Sequence, residues 1–157
     1  MITVNPFFET SQKINRTDIL ELESFLGFEL PKNFIDFYLQ YNGGIPKKNF
    51  YIEPTGEWDT FAFDIQVFKP IKHSLSKHEM TLEDTYDLYV NKKKFLPEYL
   101  IPFAHNNTGD PYCINKGTGA ICFFAIDDFD NLEEAINYIA PDIWSFVNGL
   151  VSEEEAY

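Results

Sequence analysis

Apolar residues near the start of the chain recur at the spacing of a helix face. Three of them lie three and four residues apart, Ile19, Leu22 and Leu26, and acidic residues stand between them. The pattern predicts an amphipathic helix over residues 17–26. Asn15 or Thr17 can cap its first turn, and Gly27 stands where a helix of L-residues ends.

A second amphipathic helix is predicted directly after the first. Pro31 suits its first turn, where a missing N–H costs nothing. Four aromatic residues share its buried face: Phe34, Phe37, Tyr38 and Tyr41. Gly43 and Gly44 follow the last of them. A phosphate-binding glycine loop precedes its helix, so we expect Gly43 to end this helix in the left-handed conformation and to bind no ligand.

Alternating apolar and polar residues predict strands in the middle of the chain. Residues 61–68 alternate without interruption, which is typical of one half-buried strand, and a short strand over residues 49–52 is also possible. Thr81 then begins a helix. The apolar face of that helix consists of Leu82, Tyr86, Tyr89 and Val90.

The last third of the chain predicts a strand meander followed by helices. The strands cover residues 100–104, 111–115 and 120–126, and a two-residue turn at Gly117–Thr118 places Cys113 opposite Cys122. Asp130 or Asn131 then caps a helix that carries Leu132, Ala135, Ile136 and Ile139, and a final short helix runs from Pro141 to Gly149. This order of elements predicts one α+β domain over residues 1–157 with a mainly antiparallel sheet. We expect residues 1–15 to be an N-terminal extension and residues 152–157 an acidic tail.

The net charge is negative and unevenly distributed. The 157 residues contain 25 Asp and Glu against 12 Lys and Arg, a net charge of −13. Residues 1–94 hold 14 acidic and 11 basic residues, a balance of −3, whereas residues 95–157 hold 11 acidic residues against Lys116, a balance of −10. Phosphate binding needs clustered Lys and Arg, so we expect no direct contact with nucleic acid. The charge favours a basic partner, although solubility alone would also explain it.

The sequence also predicts where the protein resides. It has no secretory leader pattern and no apolar run of membrane-spanning length. We therefore expect a cytoplasmic protein with no membrane association. Its two cysteines are expected to be thiols there. A Cys113–Cys122 disulfide is the alternative under oxidising conditions.

Residues that could carry catalysis or hold a metal are few. His73, His78 and His105 share no zinc-type spacing with one another or with the cysteines. A nucleophilic Cys113 assisted by His105 and Asp110 would require the fold to bring the three together, and a strand cysteine is more often buried. We therefore expect no enzyme activity, no cofactor and no metal. Gly109 and Asp110 are expected in a turn.

Two acidic segments are the candidates for binding a protein partner. Carboxylates attract basic partners, and Trp and Tyr concentrate binding energy at interfaces. The candidate residues are Tyr51, Glu57, Trp58, Asp59, Asp127, Asp128 and Asp130. Trp58 packing back onto the sheet is the alternative for the first segment.

Two blocks of the sequence resemble the SUKH superfamily (the Smi/Knr-type domain). The resemblance covers residues 17–147. The first block runs from Gly27 through Leu30–Pro31 to Tyr41–Asn42–Gly43–Gly44, and the second runs from residues 100–104 through Gly109–Asp110 and Tyr112–Cys113 to the acidic corner. The resemblance implies an α+β fold with a central, mainly antiparallel sheet of about five or six strands and helices packed around it.

The resemblance also implies a role in binding rather than catalysis. Bacterial members of the superfamily are immunity proteins that bind and block the toxin domain, often a nuclease, of a secreted polymorphic toxin. The cognate toxin of this chain would then be its partner, and a basic nuclease domain agrees with the charge argument. The alternative is a regulatory scaffold of the fungal Smi/Knr type that binds a cellular partner. A small hydrolase using Cys113 is the third hypothesis.

Overall fold

A central sheet of five antiparallel strands organises the chain, in a computed structural model that describes residues 5–56, 62–76, 79–126 and 132–157. The strands are β1 (Phe7–Phe8), β2 (Ile45–Pro46), β3 (Phe50–Ile52), β4 (Ala62–Asp64), β5 (Val67–Phe68), β6 (Leu100–His105), β7 (Pro111–Asn115), β8 (Ile121–Phe124) and β9 (Ile136–Ala140). The α-helices are α1 (Arg16–Leu26), α2 (Lys32–Gln40), α3 (Leu82–Tyr86), α4 (Leu132–Ala135), α5 (Ile143–Gly149) and α6 (Glu153–Ala156).

The strand order of the central sheet is β5-β6-β7-β8-β9, while β1 pairs with β2 and β3 pairs with β4. Every one of these pairings is antiparallel. The predicted fold class, an α+β domain with a mainly antiparallel sheet of about five or six strands, is therefore confirmed, and the sheet has five.

Aromatic side chains fill the space between the sheet and its helices. The ring of Phe146 on α5 lies 5.4 Å from Tyr112 on β7, and Trp144 on the same helix lies 5.3 Å from Phe37 on α2. Phe34 of α2 reaches Phe103 on β6 at 6.0 Å. The last two contacts are edge-on, with interplanar angles of 79° and 75°, and the first is tilted at 38°. Because aromatic rings bury a large apolar area, these contacts stabilise the packing of the helices on the sheet.

Helix α1 begins and ends as the sequence predicts. Asn15 and Asp18 form a reciprocal capping box, in which each side chain accepts a hydrogen bond from the other's backbone N–H at 3.0 Å. Gly27 closes the helix in the left-handed conformation, with φ of 88°.

The predicted capping role of Gly43 is wrong. Helix α2 follows Pro31 and ends at Gln40, and Tyr41 after it is already extended. Gly43 and Gly44 instead let two backbone segments approach each other closely. Gly44 exchanges hydrogen bonds of 3.0 and 2.8 Å with Phe68.

The asparagine of the same motif also ties the chain together. Asn42 is buried, and its side-chain amide donates to the carbonyl oxygens of Gln12 and Ile71 at 2.8 and 2.9 Å. Its side-chain oxygen accepts from the Ile71 N–H at 2.7 Å. The Asn42–Gly43–Gly44 motif is therefore a packing junction between α2, the N-terminal segment and the chain after β5.

The prediction of one strand over residues 61–68 is wrong, because the alternation spans two strands in different sheets. Ile65 still donates its N–H to Asn49 beside β3, at 2.8 Å, whereas the next residue, Gln66, donates to His105 on β6 at 2.9 Å. Burial does not follow the predicted alternation across the change of partner, since the buried residues are Ala62, Ile65 and Phe68, whereas Val67 is only half-buried. Residue 61 itself lies outside the described residues.

Helix α3 begins at Thr81 as predicted, and the Thr81 hydroxyl accepts from the Asp84 N–H at 3.2 Å. From Asp87 to Lys92 the helix continues with the wider turns of a π-helix. The predicted hairpin register is also confirmed, because Cys113 on β7 pairs directly with Cys122 on β8.

The predicted helix after residue 131 is correct only over its first turn. Leu132–Ala135 is helical, but Ile136–Ala140 forms the edge strand β9, paired with β8. The last of the predicted helices is confirmed as α5. Its cap is Asp142, whose carboxylate accepts from the Ser145 N–H at 2.8 Å.

The described parts of both terminal segments, residues 5–15 and 152–157, belong to the fold. The predicted N-terminal extension contains β1, and Phe7 is part of the core. The predicted acidic tail forms α6, in which Ser152 and Glu155 make a capping box and Ala156 is buried. In the described ranges, no helix is long and apolar enough to cross a bilayer.

Candidate functional site

A cleft of about 670 Å³ opens between the β3–β4 hairpin, the turn that precedes β7, and the C-terminal helix α6. Its lining is mostly polar. The described lining residues are Asn49, Phe50, Ala62, Phe63, Asp64, Gln66, Asn106, Asn107, Thr108, Asp110, Glu153 and Tyr157. The volume falls within the range of roughly 300–1,000 Å³ that is typical of ligand sites.

Hydrogen bonds hold the first two walls of the cleft against each other. The Asp64 carboxylate accepts from the Asn107 N–H at 3.3 Å, and the Tyr112 hydroxyl donates to the Asp64 carbonyl oxygen at 3.0 Å. Burial raises the pKa of Tyr112 well above its usual value, with Asp64 as a further cause, so the hydroxyl stays a donor. The hairpin and the turn therefore form one continuous wall.

The C-terminal segment supplies the opposite wall. Val151 exchanges two backbone hydrogen bonds with Phe50, of 3.0 and 2.9 Å, and so extends the β3–β4 sheet by one bridge. The Tyr157 ring then lies 5.8 Å from the Phe50 ring. These contacts place Glu153 and Tyr157 at the cleft.

The described lining of the cleft is acidic. It contains Asp64, Asp110 and Glu153 and no Lys, Arg or His. None of the three carboxylates forms an ion pair within the described ranges. A concave surface with one sign of charge focuses the electrostatic potential, so this cleft attracts positively charged groups.

The structure places one of the predicted partner-binding residues, Tyr51, on β3 opposite Phe63. Its ring is half-buried, and burial together with the Glu53 carboxylate raises the pKa of its hydroxyl. The other six lie outside the described residues: Glu57, Trp58, Asp59, Asp127, Asp128 and Asp130.

The predicted turn at Gly109 and Asp110 is confirmed. Gly109 has φ of 89°. The Asn106 side-chain oxygen accepts from the N–H groups of Thr108 and Asp110, at 3.0 and 2.9 Å. The Asp110 carboxylate in turn accepts from the Ile126 N–H at 3.3 Å. Although this turn carries no signal of binding in the sequence, it supplies four of the cleft's lining residues.

The structure contradicts the Cys113 nucleophile hypothesis. Cys113 is fully buried. Burial, with a hydrogen bond to the Cys122 thiol, raises the pKa of Cys113 well above its usual value, so it is a thiol at neutral pH. Both cysteines are free. Among the described residues, no group of three or more His, Cys, Asp or Glu side chains is arranged to hold a metal ion, and His78 lies outside those residues.

Sequence reasoning missed most of the cleft. Asp64, Asn106 and Glu153 come from three distant parts of the chain, and only the fold brings them to one place. The acidic composition of residues 95–157 was the available signal, and it indicated the sign of the charge without its location.

Comparison with known proteins agrees with this architecture. No curated protein gave a match. A model of the SMI1/KNR4 family (SUKH-1) matches residues 13–149. The matched stretch contains α1, α2, the whole central sheet and α5, so the chain belongs to the SMI1/KNR4 family (SUKH-1).

Proposed function

We propose that this chain is an immunity protein that neutralises a cognate toxin domain in the cytoplasm by stoichiometric binding, and that the toxin is a basic nuclease domain. The observation that carries the proposal is the uneven charge, a balance of −10 over residues 95–157 with Lys116 as the one basic residue. A nuclease needs a basic surface to hold phosphates. An acidic protein that binds this surface excludes the nucleic acid.

The cleft supports the same kind of partner. Its described carboxylates face solvent without an ion pair in the described chain, and amide side chains surround them. Charge complementarity of this sort raises the association rate and disfavours acidic partners.

The proposed contact surface combines the cleft with the two acidic segments. Its further members are Tyr51, Glu57, Trp58, Asp59, Asp127, Asp128 and Asp130. The ring of Phe63, which follows the first segment, packs 5.1 Å from the ring of Phe123, which precedes the second segment. Ile126, directly before the second segment, donates its N–H to the cleft residue Asp110. This proximity supports a single contact surface.

Co-expression with the toxin domain encoded beside this chain tests the proposal. We expect cells to survive when the chain is present, to die when it is absent, and to yield a complex with one copy of each protein. Death in the presence of the folded chain would contradict the immunity role. The absence of any neighbouring toxin gene would favour a regulatory scaffold instead.

A further inference from the structure

Two of the three carboxylates of the cleft, Asp64 and Asp110, are held in place by neutral groups. Asp64 accepts from the Gln66 side chain at 2.7 Å and from the Asn107 N–H at 3.3 Å. Asp110 accepts from the Ile126 N–H at 3.3 Å. Neutral donors orient a carboxylate without cancelling its charge, so the positions are fixed while the negative potential remains.

Asn106 gives a second and independent indication of a ligand. Its side chain is only 6% exposed and lines the cleft. Three donors share its oxygen: the Thr108 N–H, the Thr108 hydroxyl and the Asp110 N–H. The amide orientation follows from these three bonds, because only the oxygen can accept them.

The Asn106 side-chain nitrogen, Nδ2, therefore has hydrogens to donate. It has no hydrogen-bond partner among the described residues, although its oxygen has three. No fully buried side-chain nitrogen or oxygen in the described chain lacks a partner, so solvent reaches Nδ2 from the cleft. A ligand that binds beside the carboxylates can then supply an acceptor, such as a peptide carbonyl oxygen.

Aromatic rings at the cleft distinguish between the two basic side chains. Phe50, Phe63 and Tyr157 all line it, and Tyr157 is 82% exposed. The planar guanidinium of arginine stacks on aromatic rings and also binds carboxylates through its fork of N–H donors. The ammonium of lysine is more strongly hydrated and makes less use of such a surface.

We propose that the cleft binds an arginine side chain from an extended segment of a basic protein partner. The guanidinium lies among Asp64, Asp110 and Glu153, and a backbone carbonyl oxygen of the partner accepts a hydrogen bond from Asn106 Nδ2. The identification of that partner as the toxin rests on the proposed function; the arginine specificity of the cleft does not.

The wall formed by α6 and Tyr157 lies outside the stretch that matches the family. The family match ends at residue 149, and Glu153 and Tyr157 lie beyond it. One charged and one aromatic lining group therefore come from a segment outside the family match.

NMR titration of the full chain tests the proposal with defined probes. The probes are N-acetyl-arginine methylamide, the lysine equivalent, and the citrulline equivalent, which keeps the shape of arginine without its charge. For the arginine probe we expect saturable shifts of the Asn106 side-chain amide and of the backbone amides of residues 64 and 106–110. Binding of the lysine probe should be at least fivefold weaker, and the citrulline probe should give no saturation.

Two matched variants on α6 locate the binding site. Glu153→Gln removes a cleft carboxylate, whereas Glu154→Gln makes the same change of charge on the next residue, which does not line the cleft. We expect Glu153→Gln to weaken binding of the arginine probe at least threefold and Glu154→Gln to leave it unchanged. Asp64→Asn keeps the acceptor oxygen and should weaken binding to a similar extent.

The possible results separate this proposal from the immunity role. Equal binding of the arginine and lysine probes, shifts that do not saturate, or equal effects of the two glutamate variants would overturn the arginine site. None of these results involves a toxin. Conversely, failure of the chain to protect cells while the arginine probe binds as expected would overturn the immunity role alone.

Discussion

Gly43 and Gly44 sit where any side chain would collide with backbone atoms. A Cβ on Gly43 would lie 2.8 Å from the Phe68 carbonyl oxygen, and one on Gly44 would lie 2.6 Å from the Phe8 carbonyl oxygen. Both residues also have positive φ, of 74° and 107°. We expect Gly43→Ala and Gly44→Ala each to lower the free energy of unfolding by about 2–4 kcal/mol, because steric overlap adds to backbone strain. Urea unfolding measures this loss.

Substitutions at two other glycines separate the effect of steric overlap from the effect of backbone strain. Gly27 has φ of 88° but open space around its Cβ position, so Gly27→Ala should cost only about 1–2 kcal/mol of backbone strain. Gly149 lies in helix α5 with a free Cβ position and no positive φ, and its replacement by alanine should be neutral or stabilising. Equal losses at Gly27 and Gly44 would show that close packing contributes nothing at the junction.

His105 should make stability depend on pH below neutrality. Burial and the nearby Lys69 lower the pKa of His105 from 6.5 to about 4, while Asp64 opposes the shift. In the unfolded chain His105 binds a proton below about pH 6.5, whereas in the folded chain it binds that proton only below about pH 4. The free energy of unfolding should therefore fall as the pH decreases through this window, and this contribution should be constant above pH 6.5.

Two measurements test the prediction for His105. The NMR shift of its ring proton should titrate with a midpoint near the lowered pKa of about 4. The His105→Gln variant has no imidazole to protonate. Its free energy of unfolding should therefore fall less than that of the natural chain between pH 6.5 and about pH 4. A ring titration near pH 6.5 would contradict the expected burial of His105.

At the scale of elements, the sequence predicts those whose local and tertiary preferences agree. Helix α1 has a capping box, an apolar face and a terminal glycine, and the structure has the same boundaries within one residue. Strand β9 is different. Ile136 and Ile139 fit a helix face, yet the β-branched and aromatic residues of Ile136–Ala140 also suit a strand. Pairing with β8 decides between the two, and no local pattern contains that information.

The break between β4 and β5 could not be predicted for a related reason. The sequence keeps its period-two alternation through Ile65 and Gln66, so it does not mark the point at which the backbone changes its partner strand. The cleft depends on this break, because β4 carries Asp64 away from the central sheet toward the turn before β7. A candidate site built from several elements whose partners are set by tertiary pairing cannot be located from the sequence pattern alone.

Helix α6 should depend on its cap. It has only four residues, and the capping box of Ser152 and Glu155 satisfies donors at its start. Ser152→Ala should cost about 1 kcal/mol and release α6 before the rest of the chain unfolds. Hydrogen exchange should then become faster at residues 155 and 156 and stay unchanged in β7. If hydrogen exchange at residues 155 and 156 stayed unchanged, the contact of Tyr157 with Phe50 would be enough to hold α6 in place without its cap.

At the scale of the whole molecule, the net charge of −13 acts mainly on the rate of association. Exposed charges act on a distant partner only over about one Debye length, which shortens from roughly 30 Å at 0.01 M salt to about 8 Å at 0.15 M. The association rate constant with the proposed toxin partner should fall roughly tenfold or more over that range. The dissociation rate should change much less, because close contacts determine it.

Where the charge lies matters as much as its total. Glu153→Gln with Glu154→Gln removes two charges from the acidic part of the chain, and Glu9→Gln with Glu29→Gln removes two from the nearly balanced part. Stopped-flow association at low salt should be slowed more by the first pair than by the second, since only the first pair includes a residue that lines the cleft, Glu153. At about 1 M salt, where screening is nearly complete, both pairs should associate at the natural rate. Equal slowing by the two pairs would mean that the partner responds to net charge, and the acidic cleft would then have no role in directing its approach.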